Sequence, residues 1–354
     1  MPTPEYSPSA PVMVTGATGY VAGWLIRRLL EEGFTVHGTV RDPDNQAKVG
    51  FLTRMAEELP GEIKLFKADL LDPDAFAAPM TGCEVVFHTA SPFVLAVADP
   101  QRDLVDPAVN GTTNVLNAAN ETESVSRVVV TSSCAAIYGD NADVVNAPGG
   151  VLTEDVWNTT SSLTHQAYSY SKTEAERAAW KIAEAQDRWR LTTVNPALVI
   201  GPGVADSHTS ESFSLVKQIG DGTMKSGALP FEIGAVDVRD VAEAHMRAGF
   251  MADAEGRYIT SARTISIMEI ANALREKFAD RPLPKSVAPK WLLWLIGPMV
   301  DKTVTRKFIS GNMGHAWKAD NSKIRTKLGM EFRPLDVAAQ EMFQQMIDTG
   351  ALSK

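Results

Sequence analysis

Cysteine is nearly missing from this 354-residue chain, which holds two, Cys83 and Cys134. That number excludes a disulfide framework and leaves too few thiolates for a cysteine-based structural zinc site, so both are expected to be reduced and buried. The six histidines form no His-x-x-x-His pair, and no metal is expected; His88, inside an apolar run, reads as a satisfied core residue. Blocks of lysine or arginine are also absent, and the formal net charge is −9. Nothing here offers an electrostatic footprint to a phosphate backbone or an anionic lipid surface, so nucleic-acid and membrane partners are not expected. The most apolar stretch, Trp291 to Val300, is broken by Gly297-Pro298 and falls far short of the roughly 18–20 residues that span a bilayer. A buried helix or pocket wall is the expected role for it, with a membrane-surface or dimer contact as the alternative. Internal repeats and low-complexity tracts are missing too. The first eight residues lack a basic and apolar signal pattern, which leads by default to the expectation of a loose tail and a cytoplasmic location.

What is present is an alternation of short β-branched runs with longer helix-like segments from residue 11 to about 200, the pattern of βαβ units around a parallel sheet. The expected strands are Val12 to Thr15, Phe34 to Val40, Ile63 to Lys67, Val85 to Thr89, Arg127 to Ser132 and Leu191 to Val194. Most are continuous apolar runs, suited to a sheet covered on both faces. Tyr20 to Glu32, Gln46 to Glu58, Arg102 to Asn120 and Ser169 to Gln186 are long enough for crossover helices. After Pro202 the alternation gives way to Gly, Ser and Pro loops and isolated amphipathic segments. Ser266-Ile267-Met268-Glu269 has the form of a capping box opening a helix, with Ile267, Ile270, Ala271, Leu274 and Phe278 on one face. The fold class expected is α/β, a doubly wound parallel sheet of Rossmann type over 11–201 with returns near 234–261. Residues 202–233 and 262–346 would form a smaller substrate-binding lobe.

Val14-Thr15-Gly16-Ala17-Thr18-Gly19-Tyr20-Val21-Ala22 places a strand end, a glycine turn and a helix start in succession. Gly16 would let the chain leave the strand sharply, and Gly19 would let backbone N–H groups at the helix N-terminus approach a pyrophosphate. Thr18, Tyr20 and Val21 complete this expected cofactor-binding turn. The bland alternative is a glycine-rich turn without a ligand. Arg41 follows the second strand and Lys48 the next segment, where two cations suit a 2′-phosphate, so NADP is expected over NAD. Asp42 could pair with Arg41 or cap the turn at Pro43. Asp69 and Leu70 after the third strand are placed for an adenine edge. Thr89, Ala90 and Ser91 after the fourth are placed beside the pyrophosphate and ribose, at the sheet top where ligands collect in open α/β folds.

Tyr168 and Lys172 are four residues apart, so on a helix they share a face. Reducing a carbonyl needs a proton for the developing alkoxide, and a tyrosine with pKa near 10 is a reluctant donor near neutrality unless an ammonium stabilises its phenolate. Ser133 ends an apolar strand and could hydrogen-bond the same carbonyl oxygen, with Ser132 as the other candidate. Side chains alternate faces along a strand, and periodicity alone does not choose between the two. Strand-end capping is the structural alternative for the pair. Tyr170, two residues from Lys172, points elsewhere and reads as packing.

These residues, with Thr39-Val40-Arg41-Asp42-Pro43, Lys67-Ala68-Asp69-Leu70, Phe87-His88-Thr89-Ala90-Ser91-Pro92 and Asn195-Pro196-Ala197-Leu198-Val199-Ile200-Gly201-Pro202, give a chain that resembles the extended short-chain dehydrogenase/reductases of the dihydroflavonol reductase-like group. The resemblance covers about the first 200 residues closely. It implies that Ser133 is the catalytic serine, that Tyr168 is the acid and that Lys172 also holds the nicotinamide ribose. It further implies Arg41 and Lys48 at the 2′-phosphate, Asp69, Leu70, Thr89, Ala90 and Ser91 around the adenosine and diphosphate, and Pro196 and Val199 toward the nicotinamide. Plant flavonoid reductases carry Asn or Asp shortly after the serine pair, where this chain has Tyr138. Cinnamoyl-CoA reductases carry Asn-Trp-Tyr-Cys-Tyr-Gly-Lys where this chain has Gln166-Ala167-Tyr168-Ser169-Tyr170-Ser171-Lys172.

The expected activity is NADPH-dependent reduction of a small ketone or aldehyde by a monomer or homodimer. Phe93, Tyr138, Phe213 and the Trp291 to Trp294 region are candidate walls for an apolar or aromatic substrate. The alternatives are a sugar-nucleotide epimerase or dehydratase, and a catalytically silent NADP-sensing protein on the same fold. A dehydratase needs an acid pair after the first hydroxyl residue, where Cys134-Ala135 stand. A silent sensor would have no need of the acid–base pair.

Overall fold

The computed structural model describes residues 8–91, 97–205, 210–300 and 304–352. Ten strands are described: β1 (Val12–Val14), β2 (Thr35–Val40), β3 (Glu62–Lys67), β4 (Val85–His88), β5 (Arg127–Thr131), β6 (Arg190–Pro196), β7 (Leu198–Ile200), β8 (Glu232–Asp237), β9 (Gly256–Thr260) and β10 (Arg263–Ser266). The helices are α1 (Tyr20–Glu31), α2 (Gln46–Glu58), α3 (Ala77–Met80), α4 (Asp106–Glu121), α5 (Ala167–Ala183) and α6 (Glu211–Gly220). They continue as α7 (Val238–Phe250), α8 (Ile267–Lys277), α9 (Lys290–Val300), α10 (Arg306–Asn312), α11 (Ser322–Lys327) and α12 (Leu335–Asp348).

Seven parallel strands form the large sheet in the order β3-β2-β1-β4-β5-β6-β9. The central strands β1, β4 and β5 are mostly apolar because both faces are covered. Val12, Val14, Val85, Phe87 and Val129 pack with α1, α2 and α7, while Met13, Val86, Val128 and Val130 pack with α3, α4 and α5. Alternate side chains of one strand thus enter different cores. Each fully buried Leu, Ile or Val, such as Leu25, Ile26, Leu29 and Leu30 of α1, stabilises the fold by about 1.5–3 kcal/mol. Strand order reverses between β1 and β4, and their C-terminal ends open the crevice where dinucleotide folds bind ligands.

The expected return of the chain to this sheet near 234–261 divides in two. β9 and α7 do return, but β8 pairs antiparallel with β10 and parallel with β7 in a separate three-stranded sheet. That sheet is backed by α6, α8 and α12 around Ile219, Ile265, Leu274 and Phe343. The Ser266–Glu269 capping box is formed and starts α8.

At the opposite, N-terminal edge of the large sheet, arginines meet backbone carbonyls. Buried Arg127 donates to Ala248, Met251 and Ala254 at and beyond the end of α7, and Arg188 to Ala119 and Thr122 at the end of α4. Cations there complement the negative helix ends, so this edge is structural. Against the expectation of a buried helix, much of α9 is in the open: Trp291, Trp294, Leu295 and Met299 are exposed. Gly297 is its one buried position among the residues whose burial is described, against Val304 and Ile309. Among the described residues no helix is long and apolar enough to cross a membrane, and no cluster of metal-ligating side chains occurs.

Candidate active site

The turn after β1 is built for close approach. Gly16 has φ +65°, and a Cβ there would stand 3.0 Å from the Ala90 Cβ and 3.1 Å from its Cα. The β1 and β4 ends are therefore pressed together with no room for a side chain. Threonines stitch the cradle: the Gly16 N–H donates to Thr39 Oγ1 at 3.2 Å, Thr89 Oγ1 to the Thr15 carbonyl at 2.5 Å, and the Ala90 N–H to Thr15 Oγ1 at 3.0 Å. Thr15 Oγ1, which accepts from Ala90, also shares a hydrogen bond with His88 Nδ1, 2.9 Å away, and His88 Nε2 faces Thr112 Oγ1 at 3.4 Å. His88 is thus the satisfied core residue expected. Burial, and then the charge of Lys172, push its pKa down to about 3.

Gly19 stands at the N-cap of α1 without a side-chain cap. Beside it, Thr18 is exposed and Val21 half-buried, and the first N–H groups of a helix without a side-chain cap are open to an anion. Tyr20 crosses to the second lobe, where its hydroxyl donates to the Gly201 carbonyl and its ring meets Phe213 edge-on with centroids 5.2 Å apart. Burial first, and then Asp237, raise its pKa, so it stays a neutral phenol.

Arg41 and Lys48 are both exposed past the second strand. Asp42 does not pair with Arg41; its carboxylate accepts the Asp44 N–H at 3.1 Å and caps the turn. Asp69 likewise accepts the Leu71 N–H at 2.9 Å, and the Leu70 carbonyl is held by Asn114 Nδ2 at 3.1 Å. An uncapped helix start, a cradle that excludes a Cβ, and two solvent-facing cations where a 2′-phosphate would lie together fit a phosphorylated dinucleotide.

Across the crevice, α5 begins at the left-handed Gln166 (φ 55°) and carries Tyr168 and Lys172 on one face. The tyrosine is 43% exposed, and its hydroxyl faces the Ser133 side chain. Ser133 Oγ accepts the Ala135 N–H at 3.1 Å, which leaves its proton to point outward. Ser132 is buried, and its hydroxyl donates to Glu176. Ser132 is thus committed inward, and Ser133 is the serine on the Tyr168 side.

Lys172 departs from the expectation that it directly lowers the tyrosine pKa. Its Nζ donates to Ser91 Oγ at 3.0 Å and lies 5.8 Å from the centre of the Tyr168 ring. Loss of hydration at its hydroxyl, followed by the charge of Glu211, raises the Tyr168 pKa, and only the neighbouring Ser133 side chain lowers it. Lys172 itself is pushed down to about 8 by burial, against the opposing pull of Glu211 and Glu176.

Residues 12–258 match the profile of the NAD dependent epimerase/dehydratase family. The chain belongs to this family. Within it, the chain is 36% identical over 341 residues to cinnamoyl-CoA reductase CAD2 of Medicago truncatula, covering 95% of both chains. It is 37% identical over 282 residues to an anthocyanidin reductase of Vitis vinifera, covering 77% of this chain and 82% of that one. Among solved structures, yeast methylglyoxal/isovaleraldehyde reductase Gre2 complexed with NADPH superposes with a TM-score of 0.77 at 28% identity, over 96% of this chain and 99% of that one. The dihydroflavonol reductase-like resemblance fits these relatives of the epimerase/dehydratase chain.

The candidate substrate residues are less closely gathered. Tyr138 is half-buried against Trp317, with centroids 6.0 Å apart, in a small core that also holds Cys134 and Leu152. Phe213 lies on α6 over Tyr20, Pro196 ends β6, Val199 lies in β7 of the small sheet, and Phe93 falls outside the described residues. Two carboxylates at the site escaped the sequence reading. Glu176 had a signal, since it follows Lys172 by four positions on the same helix. Glu211 had none, because it reaches the site from the second lobe.

Proposed function

We propose that this protein reduces a small ketone or aldehyde to an alcohol with NADPH, and that Tyr168 donates the proton. The observation that carries the reading is the meeting of Ser133, Tyr168 and Lys172 beside the β1–β4 crevice, with Tyr168 and Lys172 on one face of α5, the Ser133 side chain near the Tyr168 hydroxyl and Lys172 anchored on Ser91. The protein is an NADP-dependent oxidoreductase, in keeping with the reductases it resembles and with the NADPH in the Gre2 complex. When bound, NADPH supplies the hydride.

The chain's own residues do the rest. Ser133 and Tyr168 present two O–H groups to one carbonyl oxygen, which orients it and stabilises the charge that develops there. Tyr168, held neutral by its surroundings, then gives up its proton to that oxygen. Lys172, anchored on Ser91, would reach the phenolate only indirectly, through the ribose hydroxyls that its ammonium suits. Arg41 and Lys48 would hold the 2′-phosphate, with Asp69, Leu70, Thr89 and Ala90 along the adenosine and diphosphate. Phe213 and Tyr138 favour an apolar or aromatic substrate. The departure of Gln166 to Lys172 from the cinnamoyl-CoA reductase pattern favours a free carbonyl over a CoA thioester.

The test is consumption of NADPH and of NADH across aryl ketones, aldehydes, diketones and flavonoids, run beside Tyr168→Phe. Turnover with NADPH is expected, reduced by about 10²–10⁴-fold in the variant while NADPH binding is retained. A preference for NADH would overturn the role of Arg41, and an active Tyr168→Phe would overturn the acid assignment.

A further inference from the structure

Beneath the catalytic residues lies a buried polar cluster for which the reaction as described has no use. Glu176 is 1% exposed, and its carboxylate is the shared acceptor of four side chains. Ser132 Oγ donates to it, as do Arg257 Nε at 2.6 Å, Asn195 Nδ2 at 2.7 Å and Trp180 Nε1 at 3.2 Å, while Thr193 Oγ1, 3.3 Å away, lies closer to Asn195 Oδ1 at 2.9 Å. Arg257, buried in β9, spends its remaining donors on the carbonyls of Val156 at 2.6 Å, Glu154 at 2.8 Å and Ala136 at 3.4 Å, and lies 4.0 Å from the Trp157 ring centre. Asn195 also donates to the Ser133 carbonyl at 3.2 Å.

A buried ion pair is a poor device for stability, since apolar residues of the same volume often serve as well. Its geometry offers another use. Successive side chains at a strand end face opposite ways, so fixing Ser132 inward on Glu176 sends Ser133 outward to Tyr168. Glu176 and Lys172 also line one narrow cavity with Ser91, Ser132 and Thr112, so the carboxylate faces the lysine from below.

We propose that Glu176, braced by Arg257, is a positioning residue for the reaction: it selects Ser133 by holding Ser132, and it supplies a negative charge facing Lys172. The inference rests on the reductase reading above. Around Lys172 the other groups are Glu211 from α6, Tyr168 from its own helix, and neutral His88 and Ser91 from the β4 end. Glu211 remains in a Glu176 variant, so the effect on the lysine is partial.

The experiment compares Glu176→Gln, Glu176→Gln/Arg257→Met and Ser132→Ala with the parent and Tyr168→Phe. It reads kcat, KM, the pH profile of kcat, the Kd for NADPH and the melting temperature. In Glu176→Gln, kcat is expected to fall at least tenfold with little change in Kd. The alkaline limb should move to lower pH by roughly half to one unit, because Lys172 loses its proton sooner without an opposing carboxylate. The double variant should regain melting temperature, having lost the unpaired guanidinium, yet keep the lowered kcat and the shifted limb. A double variant with parental kcat and limb would make Glu176 merely structural and overturn the proposal.

Ser132→Ala keeps the ion pair and decides the matter if the Glu176 variants do not fold. A roughly tenfold loss of kcat at unchanged Kd supports the proposal, and parental kcat overturns it. An active Tyr168→Phe would instead sink the reductase reading, whereas an inactive one beside parental Glu176 and Ser132 variants sinks this inference alone.

Discussion

Ser132 and Ser133 are chemically identical neighbours that differ in a single respect, the face of the strand end on which each lies. Ser133 Oγ already accepts from the Ala135 amide, so it has a proton to offer a carbonyl oxygen, whereas the proton of Ser132 is committed to Glu176. Ser133→Ala should therefore lower kcat by about 10²–10³-fold, the usual loss of one donor to a developing oxyanion. NADPH binding should be nearly unchanged, because Ser133 lies on the Tyr168 side of the crevice. A titration of NADPH fluorescence beside steady-state kinetics checks both, and a variant with parental kcat would remove Ser133 from the chemistry. The Tyr168–Lys172 pair was legible in the sequence because helical spacing alone puts two such residues on one face. The serine was legible only through the family resemblance and not from periodicity, since the groups that turn Ser132 inward come from α5, β6 and β9, up to about 125 residues away along the chain. Nor was the actual setting of Tyr168 legible. The sequence suggests a lysine acting on a phenol, yet Lys172 is drawn to Ser91, and Glu211 reaches the pair from another lobe.

Helices and strands came through the sequence wherever their periodicity was long and uninterrupted. α2 and the first six strands lie where the apolar runs place them, within a residue or two at their ends. β8 shows the limit, because a run such as Val236 to Val238 signals burial without saying in which sheet. Backbone pairing with β10 and β7 decides that. α9 shows another limit, since an apolar run signals a need for cover that the described residues do not supply. Element packing also makes a prediction at the adenosine end of the crevice. Gly111 of α4 lies so close to the loop after β3 that a Cβ there would come within 2.4 Å of Leu70 Cγ. Gly111→Ala must displace Leu70 from its place beside the expected adenine. It should cost about 1–3 kcal/mol of stability, the usual cost of overpacking, and weaken NADPH binding. Chemical denaturation gives the first quantity and NADPH titration the second. Leu70→Ala combined with Gly111→Ala should recover most of the stability, and a Gly111→Ala protein with parental values in both would show that the loop yields freely.

At the scale of the whole molecule, the large sheet is clamped at its functional end by two buried neutral histidines, and this makes stability depend on acid. His88 joins the β4 end to Thr15 of the β1 turn and to Thr112 of α4. His245, fully buried in α7, bonds the Val241 carbonyl through Nδ1 at 2.7 Å, so its Nε2 accepts from Thr131 Oγ1 of β5 at 2.6 Å. Neither ring can take a second proton without losing an accepted hydrogen bond in a dry setting. Burial accordingly lowers their pKa values to about 3 and about 4, from the ordinary 6.5 of an unfolded chain. The sign follows from proton counting. Between pH 6.5 and the folded values the unfolded chain binds more protons, so stability is fully present above about pH 6.5 and falls as pH drops toward 4. Each histidine accounts for about 3 kcal/mol at the acid end of that window. Urea midpoints measured from pH 7 to pH 4 should decline steadily, and His245→Gln, which cannot titrate, should flatten the slope even if its stability at pH 7 is lower. A parental slope in that variant would place the acid sensitivity elsewhere. The same clamps that hold the cofactor cradle at neutral pH would then be where the protein first opens in acid, so NADPH, which binds the closed crevice, should raise the midpoint across the whole range.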